Sequence, residues 1–444
     1  MRHSYKVAVV GSGFAGLVTA RELKREALLV TVFENANHVD SIWLFNSRVD
    51  TDLLGLDPNR EIVHSSLYRS LRVNLPRQIM CFMDYSFMKK ECGDPRTFPG
   101  HEEVLKFLED FARDFRLMEL IRFGHEVVRV ELTDEARHKW VVESRTRETE
   151  SRWESKEEVF EAVVICNGKH TEPKIVEFPG RDAWPGLQMH SHSYRTPEQF
   201  ENKVFDHIQV QPICMVLIGN GSSANDILKE ISPLASQVHQ AIRGPGSQLK
   251  RLENHDNAWQ HSMIECARKD GKVVFQDGSI VDPDVIIHCT GYKFHFPFLR
   301  SNGTVTVDDN RVGPLYKHVF PPSLAPWLSF VALPYKAVPY IVMELQGKWV
   351  AKVLSGKVKL PTQAEMADSV EELYRLMEKR QGFSISKAKS LFHCLFAYIL
   401  DIRPPERWKE IMFFSMEKIK SYYGEKYRDA WDVDKWIQEV DCSN

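Results

Sequence analysis

This 444-residue chain opens on an apolar run that leads into a glycine-rich turn, Val7-Ala8-Val9-Val10-Gly11-Ser12-Gly13-Phe14-Ala15-Gly16. The same arrangement returns in mid-chain, as Met215-Val216-Leu217-Ile218-Gly219-Asn220-Gly221-Ser222-Ser223-Ala224. Each turn follows a predicted strand and precedes a helical pattern, the context in which such a turn binds a dinucleotide. Glycine lets the backbone approach a pyrophosphate at the helix N-terminus. Two such turns predict an α/β protein with two dinucleotide-binding, Rossmann-like domains.

The residue that ends the next strand differs between the two halves. Glu34 follows the apolar run 30–33, and a carboxylate there accepts hydrogen bonds from ribose hydroxyls and repels a 2′-phosphate. Arg243 follows the run 238–242, and its guanidinium suits a 2′-phosphate. The first site is therefore predicted to hold FAD or NAD, and the second NADP. The alternative is that both residues are solvated charges at strand ends.

Each half also closes with a hydrophobic strand that runs into a glycine, Ala162-Val163-Val164-Ile165-Cys166-Asn167-Gly168 and Val285-Ile286-Ile287-His288-Cys289-Thr290-Gly291. This weak repetition of a whole domain sets the expected boundaries. Residues 1–168 form the first part of the FAD-binding domain, and residues 172–291 form a smaller NADPH-binding domain inserted into it. Residues 292–444 return to the FAD-binding domain and end in a helical C-terminal region.

Helical spacing of apolar residues predicts tail helices over 364–380 and 405–423. The apolar run 391–400 is too short to span a bilayer and is expected to be a core helix, so no transmembrane segment is predicted.

Charge and cysteine content exclude other classes of protein. The net charge of −3 predicts no nucleic-acid partner. The eight cysteines include no C-x-x-C pair, which favours a reducing, cytoplasmic location and disfavours a disulfide reductase. The first strand begins almost at residue 1, so no signal or transit peptide is expected. No metal site is predicted.

Several further strings carry a resemblance to a known family. The string Trp184-Pro185-Gly186-Leu187-Gln188-Met189-His190-Ser191-His192-Ser193-Tyr194 resembles the fingerprint F-x-G-x-x-x-H-x-x-x-(F/Y) of flavin-containing monooxygenases, with Trp184 in place of Phe. The strings at 289–292 and 70–77 are similar to other signatures of that family. Those at 313–320 and 427–432 are similar to its plant branch, the glucosinolate S-oxygenase-like group.

The resemblance implies an NADPH- and O2-dependent, FAD-containing monooxygenase of the N,N-dimethylaniline monooxygenase type. Its substrate would be a soft nucleophile: a sulfide oxidised to a sulfoxide, such as a methylthioalkyl glucosinolate, or an amine oxygenated on nitrogen, through a C4a-hydroperoxyflavin. The cofactor carries this chemistry, and the protein binds and orients. Asn74 is the candidate catalytic residue at the reactive edge of the flavin, or else a turn residue before Leu75-Pro76. His190 is interpreted as a structural histidine.

The residues expected to bind the two cofactors form one set. They are Gly11, Ser12, Gly13, Phe14, Ala15, Gly16, Glu34, Trp43, Asn74, Val127 and Thr290, together with Gly219, Asn220, Gly221, Ser222, Ser223, Ala224 and Arg243.

The chain departs from the family pattern at three places. Asp40 and Ser41 stand where relatives have Gly-Gly in E-x-x-x-x-x-G-G-x-W, although Trp43 is in register. A carboxylate ~5 Å from a pyrophosphate would cost about 3 kcal/mol at an effective dielectric constant of 20, unless it points away. The stretch 205–214 looks like an insertion before the second nucleotide strand, and Lys169-His170 stands where relatives often have His and an aromatic residue.

These departures leave a second reading open, a non-catalytic relative with impaired FAD binding. A Baeyer–Villiger enzyme is disfavoured because Tyr194 is followed by Arg195 instead of Pro, and an auxin-pathway relative fits the tail strings less well. The substrate and the oligomeric state stay open.

Overall fold

The computed structural model describes residues 4–87, 92–134, 136, 138–149, 152–200, 212–244, 248–334, 338–378, 400–402, 404 and 406–441. The chain divides into two compact units. Unit 1 comprises Met1–Trp43, Arg72–Gly168 and Phe294–Asn444, and unit 2 comprises Leu44–Leu71 and Lys169–Lys293.

The elements are numbered along the chain. The strands of unit 1 that precede Lys169 are β1 (Lys6–Val10), β2 (Leu29–Phe33), β3 (Ile121–Arg122), β4 (Glu126–Asp134), β5 (Lys139–Thr149), β6 (Arg152–Phe160) and β7 (Ala162–Ile165). Those of unit 2 are β8 (Glu172–Pro173), β9 (Leu187–His190), β10 (Cys214–Ile218), β11 (Gln237–Ala241), β12 (Lys250–Arg251), β13 (Ala258–His261), β14 (Ile264–Ala267), β15 (Val273–Phe275), β16 (Ile280–Val281), β17 (Val285–His288) and β18 (Tyr292–Lys293). Unit 1 resumes with β19 (Leu299–Arg300), β20 (Thr306–Asp308), β21 (Arg311–Gly313) and β22 (Leu328–Phe330). The helices are α1 (Phe14–Arg25), α2 (His101–Asp114), α3 (Ser222–Ile231), α4 (Pro339–Leu354), α5 (Gln363–Glu378), α6 (Arg407–Tyr423), α7 (Tyr427–Ala430) and α8 (Val433–Asp441).

Unit 1 is built on a parallel sheet with the strand order β22-β7-β1-β2-β3. Successive side chains of its central strand point to opposite faces. Val7 and Val9 join an apolar cluster with α1, α2 and α4. Ala8 and Val10 join a second cluster that includes Trp140 of the β19-β4-β5-β6 sheet. Because both faces are covered, β1 is a continuous apolar run instead of an alternating one.

Unit 2 repeats this plan around β10. Its six-stranded sheet has the order β12-β13-β11-β10-β17-β9, and only β12 is antiparallel to its neighbour. Met215 and Leu217 pack in the cluster that includes the buried face of α3. Val216 and Ile218 pack on the other face with Phe275 of the small β14-β15-β16 sheet.

The stretch Leu44–Leu71 belongs to unit 2, whereas the boundaries expected from the sequence place it in the first domain. Its apolar residues Leu53, Tyr68 and Leu71 pack into the core of unit 2, and the Tyr68 hydroxyl donates to Asp226 Oδ2 of α3 at 2.6 Å. The described residues of this stretch form no helix or strand, so no local pattern shows which core it joins.

The C-terminal region is helical, as predicted. The predicted helix over 364–380 corresponds to α5, and that over 405–423 corresponds to α6. Residues 391–399 of the expected core helix lie outside the described residues, as do residues 205–211 of the suspected insertion. Within the described part of the chain, no helix combines the length and apolarity needed to cross a membrane.

Candidate cofactor-binding site

The first glycine-rich turn connects β1 to α1 in a conformation that requires glycine. Gly11 has a φ of +102°, and a Cβ on it would lie 2.5 Å from the carbonyl oxygen of Cys166, just beyond β7. Its N–H donates to the Phe33 carbonyl at the end of β2 at 2.8 Å. A Cβ on Gly16 would collide with the Gly11 carbonyl oxygen. The turn is therefore clamped between the ends of two neighbouring strands, and the N-terminus of α1 lies at the carboxyl edge of the sheet.

The second turn has the same geometry in unit 2. Gly219 has a φ of +119°, and a Cβ on it would lie 2.5 Å from the carbonyl oxygen of Cys289. Its N–H donates to the Ala241 carbonyl at the end of β11 at 2.9 Å. Carboxyl edges of parallel sheets are where such folds bind nucleotides, and backbone N–H groups of a helix N-terminus bind phosphate. Both turns therefore have the backbone expected of a dinucleotide site.

Glu34 is held against the first turn. Its Oε2 accepts hydrogen bonds from the N–H and hydroxyl of Ser12 at 2.9 and 2.8 Å, and its Oε1 accepts from Ala36 N at 2.9 Å. The residue is 7% exposed. A carboxylate has about four acceptor positions, so Glu34 retains capacity for a ribose hydroxyl. The observed position contradicts the alternative of a solvated strand-end charge for Glu34.

Other expected residues of the first site gather around it in unit 1. The start of β4, which holds half-buried Val127, is tied to β2 by a hydrogen bond from His125 N to the Glu34 carbonyl at 2.8 Å. Half-buried Trp43 donates its backbone N–H to the Asp40 carbonyl at 3.0 Å. The side chain of Phe14 is buried beside Tyr340, so Phe14 can offer a ligand only its backbone. Buried Ala15 is limited in the same way.

Asn74 also belongs to unit 1. It is exposed, on a bend just before Pro76 and the short 3-10 turn Arg77–Ile79. The neighbouring Val73 is anchored by its N–H, which donates to the Pro99 carbonyl at 3.0 Å. The bend thus presents an amide side chain from a fixed backbone. This is consistent with a catalytic residue at the edge of the flavin and also with a simple turn residue.

The expected residues of the second site lie in unit 2. Asn220, Gly221, Ser222 and Ser223 are exposed, whereas Ala224 is buried. Arg243 is exposed two residues beyond β11, and it forms no ion pair with any described residue. The hydroxyl of Thr290 donates to the carbonyl of Lys174, just beyond β8, so Thr290 is committed to a hydrogen bond within unit 2.

The two turns differ in their surroundings, because the Asp40 side chain lies against the first turn. A Cβ on Gly13 would lie 3.5 Å from Cγ and both carboxylate oxygens of Asp40, and Oδ2 accepts from Phe14 N at 3.3 Å. Asp40 therefore faces the turn and does not point away. A Cβ on Gly221 would meet no described atom within 4 Å. Burial, and then the charge of Glu34, raises the pKa of Asp40 to about 8.

His190 of the fingerprint is fully buried in unit 2. Its Nδ1 accepts from His192 N at 3.0 Å, and burial, followed by the charges of His192 and His288, lowers its pKa to about 3. His190 is therefore neutral and accepts a backbone hydrogen bond, which agrees with its interpretation as a structural histidine.

A buried charge cluster beside it was not predicted. Asp50 accepts from Arg60 Nε at 3.0 Å and from Val63 N at 2.8 Å, and lies 3.5 Å from His192 Nε2. Burial acts to raise the pKa of Asp50, but these hydrogen bonds outweigh it and lower the pKa. No periodic pattern in this turn-rich stretch distinguishes a buried aspartate from an exposed one. Among the described residues, no group of three or more His, Cys, Asp and Glu is placed to hold a metal ion.

Comparison with known proteins assigns the family. A family model described as flavin-binding monooxygenase-like matches residues 4–270 and 260–403. The chain is 45% identical over 440 residues to flavin-containing monooxygenase FMO GS-OX-like 4 of Arabidopsis thaliana, which covers 97% of this chain and 94% of that protein. It is 45% identical over 453 residues to FMO GS-OX5 of the same plant, covering 99% and 94%.

A solved structure agrees with this assignment. The structure of S-allyl-L-cysteine S-oxygenase from Allium sativum is 44% identical and covers 99% of this chain and 98% of its own, with a TM-score of 0.89. The duplicated turns and the full-length similarity lead to one conclusion. The chain belongs to the flavin-binding monooxygenase-like family.

Proposed function

We propose that this protein is an NADPH-dependent, FAD-containing monooxygenase that adds one oxygen atom from O2 to the sulfur of a small thioether. The observation that carries this proposal is the duplicated turn geometry with opposite charges at the two ribose positions. Glu34 is fixed beside the turn of unit 1. Arg243 lies one residue beyond the position of unit 2 that corresponds to Glu34, and it has no described ion-pair partner.

The residues around each turn fit one cofactor. In unit 1, the backbone from Gly11 to Gly16 would face the FAD pyrophosphate, Glu34 would accept from the ribose, and Val127 and Trp43 would line the site. In unit 2, the backbone from Gly219 to Ala224 would bind the NADPH pyrophosphate. Arg243 would pair with the 2′-phosphate, a contact for which guanidinium is well suited. Asp40, which faces this turn, does not fit an anionic ligand in its ionised form.

Bound FAD supplies the hydride acceptor and the oxygen-activating chemistry, so the chain needs no nucleophile or acid–base pair of its own. Its residues bind, orient and exclude water. Asn74 offers an amide that donates and accepts hydrogen bonds without titrating over the working pH range. This property suits a residue beside a reactive oxygen species, where a titrating group would supply protons for decay.

The thioether substrate class is supported by the relatives. The garlic relative is named for S-allyl-L-cysteine, and the Arabidopsis relatives carry the GS-OX name. Methylthioalkyl glucosinolates and alkyl-cysteine thioethers are therefore the first compounds to test, and tertiary amines are the second class.

Product analysis under 18O2 tests the proposal. The purified protein is supplied with FAD, NADPH and S-allyl-L-cysteine, and the expected product is a sulfoxide that carries one 18O atom, formed much faster with NADPH than with NADH. A panel of methylthioalkyl glucosinolates and tertiary amines identifies the preferred class. Consumption of NADPH without any labelled product across the panel would contradict monooxygenation.

The second candidate function is a non-catalytic relative that binds FAD poorly. Asp40 favours it, because its carboxylate already accepts the N–H of Phe14 at the helix N-terminus. Flavin absorbance per protein, measured before and after addition of excess FAD, separates the two. Saturable binding of one FAD per chain supports the enzyme, and its absence supports the second candidate.

A further inference from the structure

The N-termini of α1 and α3, which follow the two glycine-rich turns, differ in whether described atoms fill the space over the turn. At α3, a Cβ on Gly221 would meet no described atom within 4 Å, so the space over the turn is open to the described residues. At α1, the equivalent space over Gly13 is filled by Cγ, Oδ1 and Oδ2 of Asp40, each 3.5 Å from the Cβ position. The chain's own carboxylate therefore lies where a helix N-terminus binds a phosphate.

The backbone holds Asp40 in this place. Asp40 has a φ of +45°, a left-handed conformation that glycine adopts freely and that Asp and Asn tolerate better than most residues. Its carbonyl accepts from Trp43 N at 3.0 Å, and its carboxylate accepts the N–H groups of Phe14 and Ile42. An aspartate is thus compatible with this loop conformation and adds an anion to it.

The surroundings of Asp40 disfavour its charge. The residue is 6% exposed. The titratable groups that act on it are the Glu34 carboxylate at the end of β2 and the Tyr340 hydroxyl of α4, and neither is a cation. The first turn of α1 contains no acidic residue, and no described Lys, Arg or His forms an ion pair with Asp40. A buried carboxylate beside a second one binds its proton more tightly than an exposed one does.

We propose that Asp40 is a proton-controlled cap on the flavin-pyrophosphate position, so that FAD binds to the form of the protein in which Asp40 is neutral. The inference rests on the proposed binding of FAD to unit 1. Neutral Asp40 has a hydroxyl that can donate to a phosphate oxygen. Ionised Asp40 repels the pyrophosphate and competes with it for the Phe14 N–H. FAD binding above the pKa of Asp40 must therefore take up a proton.

The pKa of about 8 sets the range over which this coupling acts. Below it, the affinity for FAD is expected to be independent of pH. Above it, the dissociation constant should rise about tenfold per pH unit, because each binding event must first protonate the carboxylate. Loading with flavin would then respond to pH changes in the slightly alkaline range.

The experiment measures the FAD dissociation constant of flavin-depleted full-length protein by flavin fluorescence at pH 6.5, 7, 8 and 9. The variants are Asp40→Asn and Asp40→Gly, both compatible with a positive φ. The control is Asp309→Asn, an exposed aspartate of unit 1 with a φ of +43°. Between pH 7 and pH 9, the wild type and the control should weaken about tenfold. Both Asp40 variants should change by less than about twofold and bind more tightly than the wild type at pH 9.

Calorimetry provides a readout independent of fluorescence. At pH 9, the apparent binding enthalpy of the wild type should vary with the ionisation enthalpy of the buffer, corresponding to uptake of nearly one proton, and that of Asp40→Asn should not. Equal pH dependence in the wild type and Asp40→Asn would overturn the inference and leave the proposed function intact. Failure of every variant to bind FAD at any pH, with native circular dichroism, would overturn both.

Discussion

At the residue scale, two charged side chains that follow corresponding strands, Glu34 after β2 and Arg243 after β11, have different surroundings. Glu34 is buried and its oxygens accept three hydrogen bonds from Ser12 and Ala36. Arg243 is exposed and has no described ion-pair partner. The internal hydrogen bonds hold the Glu34 carboxylate in one position, so it can orient a ligand. The Arg243 guanidinium lies in water and can gain a new charge-assisted hydrogen bond when a ligand binds.

The first prediction concerns Arg243. Arg243→Ala should raise the KM for NADPH about five- to 150-fold, which corresponds to about 1–3 kcal/mol of lost binding energy, and should leave the KM for NADH nearly unchanged. Steady-state oxidation of both cofactors measures this. Arg268→Ala, which removes another exposed arginine of unit 2, is the control and should change neither value. Equal losses with NADPH and NADH would assign Arg243 to folding instead of to 2′-phosphate recognition.

The second prediction concerns Asn74. Asn74→Ala should bind FAD as the wild type does but release more hydrogen peroxide per NADPH consumed in the presence of a methyl sulfide, because an amide hydrogen bond beside the reactive oxygen is lost. The peroxide-to-NADPH ratio and the flavin content are measured together. Asn59→Ala, an exposed turn residue of unit 2, is the control. Unchanged coupling in the Asn74 variant would reduce Asn74 to a turn residue.

At the element scale, the same strand–turn–helix unit is built twice. Gly11 and Gly219 have the same clamped environment, each with a Cβ position 2.5 Å from a cysteine carbonyl oxygen: Cys166 after β7 and Cys289 after β17. Gly13 and Gly221 instead begin the helices from an extended backbone. The first pair is therefore required for the fold. In the second pair, Gly221 borders space that no described atom fills, and Gly13 borders the Asp40 carboxylate.

This difference yields the third prediction. Gly11→Ala should destabilise the protein by at least about 1–3 kcal/mol, because a non-glycine residue is strained at a φ of +102° and its Cβ meets the Cys166 carbonyl. Gly221→Ala, at a φ of −74°, should change stability by less than about 1 kcal/mol but weaken NADPH binding. Thermal unfolding and NADPH titration of both variants measure this. A similar loss of Tm in both would contradict the distinction.

At the scale of the whole molecule, the chain forms two units with separate apolar cores. The core of unit 1 surrounds β1, and that of unit 2 surrounds β10. Each unit has its own turn, helix and ribose-facing residue. Each cofactor can therefore be assigned to one unit independently of the other.

The fourth prediction makes this assignment by hydrogen–deuterium exchange. FAD alone should slow exchange of the amides from Ser12 to Leu17, and NADP+ alone should slow those from Asn220 to Asn225, because ligand binding stabilises the structure that holds the contacted N–H groups. Each ligand serves as the control for the other. Protection of the same turn by both ligands would contradict the two-site assignment.

Local sequence alone determined a large part of this protein. It predicted both Rossmann-like units and the two turns, because a doubly buried strand before a glycine turn leaves an apolar run followed by closely spaced glycines. It predicted the helical tail from apolar residues at helical spacing. Spacing from the turn also identified Glu34, whereas Asp40 was identified through the resemblance to the family pattern.

Only the tertiary structure decided three matters. It placed Leu44–Leu71 in unit 2, since packing of Leu53 and Tyr68 into a distant core leaves no local pattern. It formed the buried cluster of Asp50, Arg60 and His192, whose members are up to 142 residues apart in the chain. It also turned the Asp40 carboxylate onto the first turn. The direction of that side chain depends on the backbone and side-chain torsion angles of Asp40 and on the packing around it, and residue spacing encodes none of these.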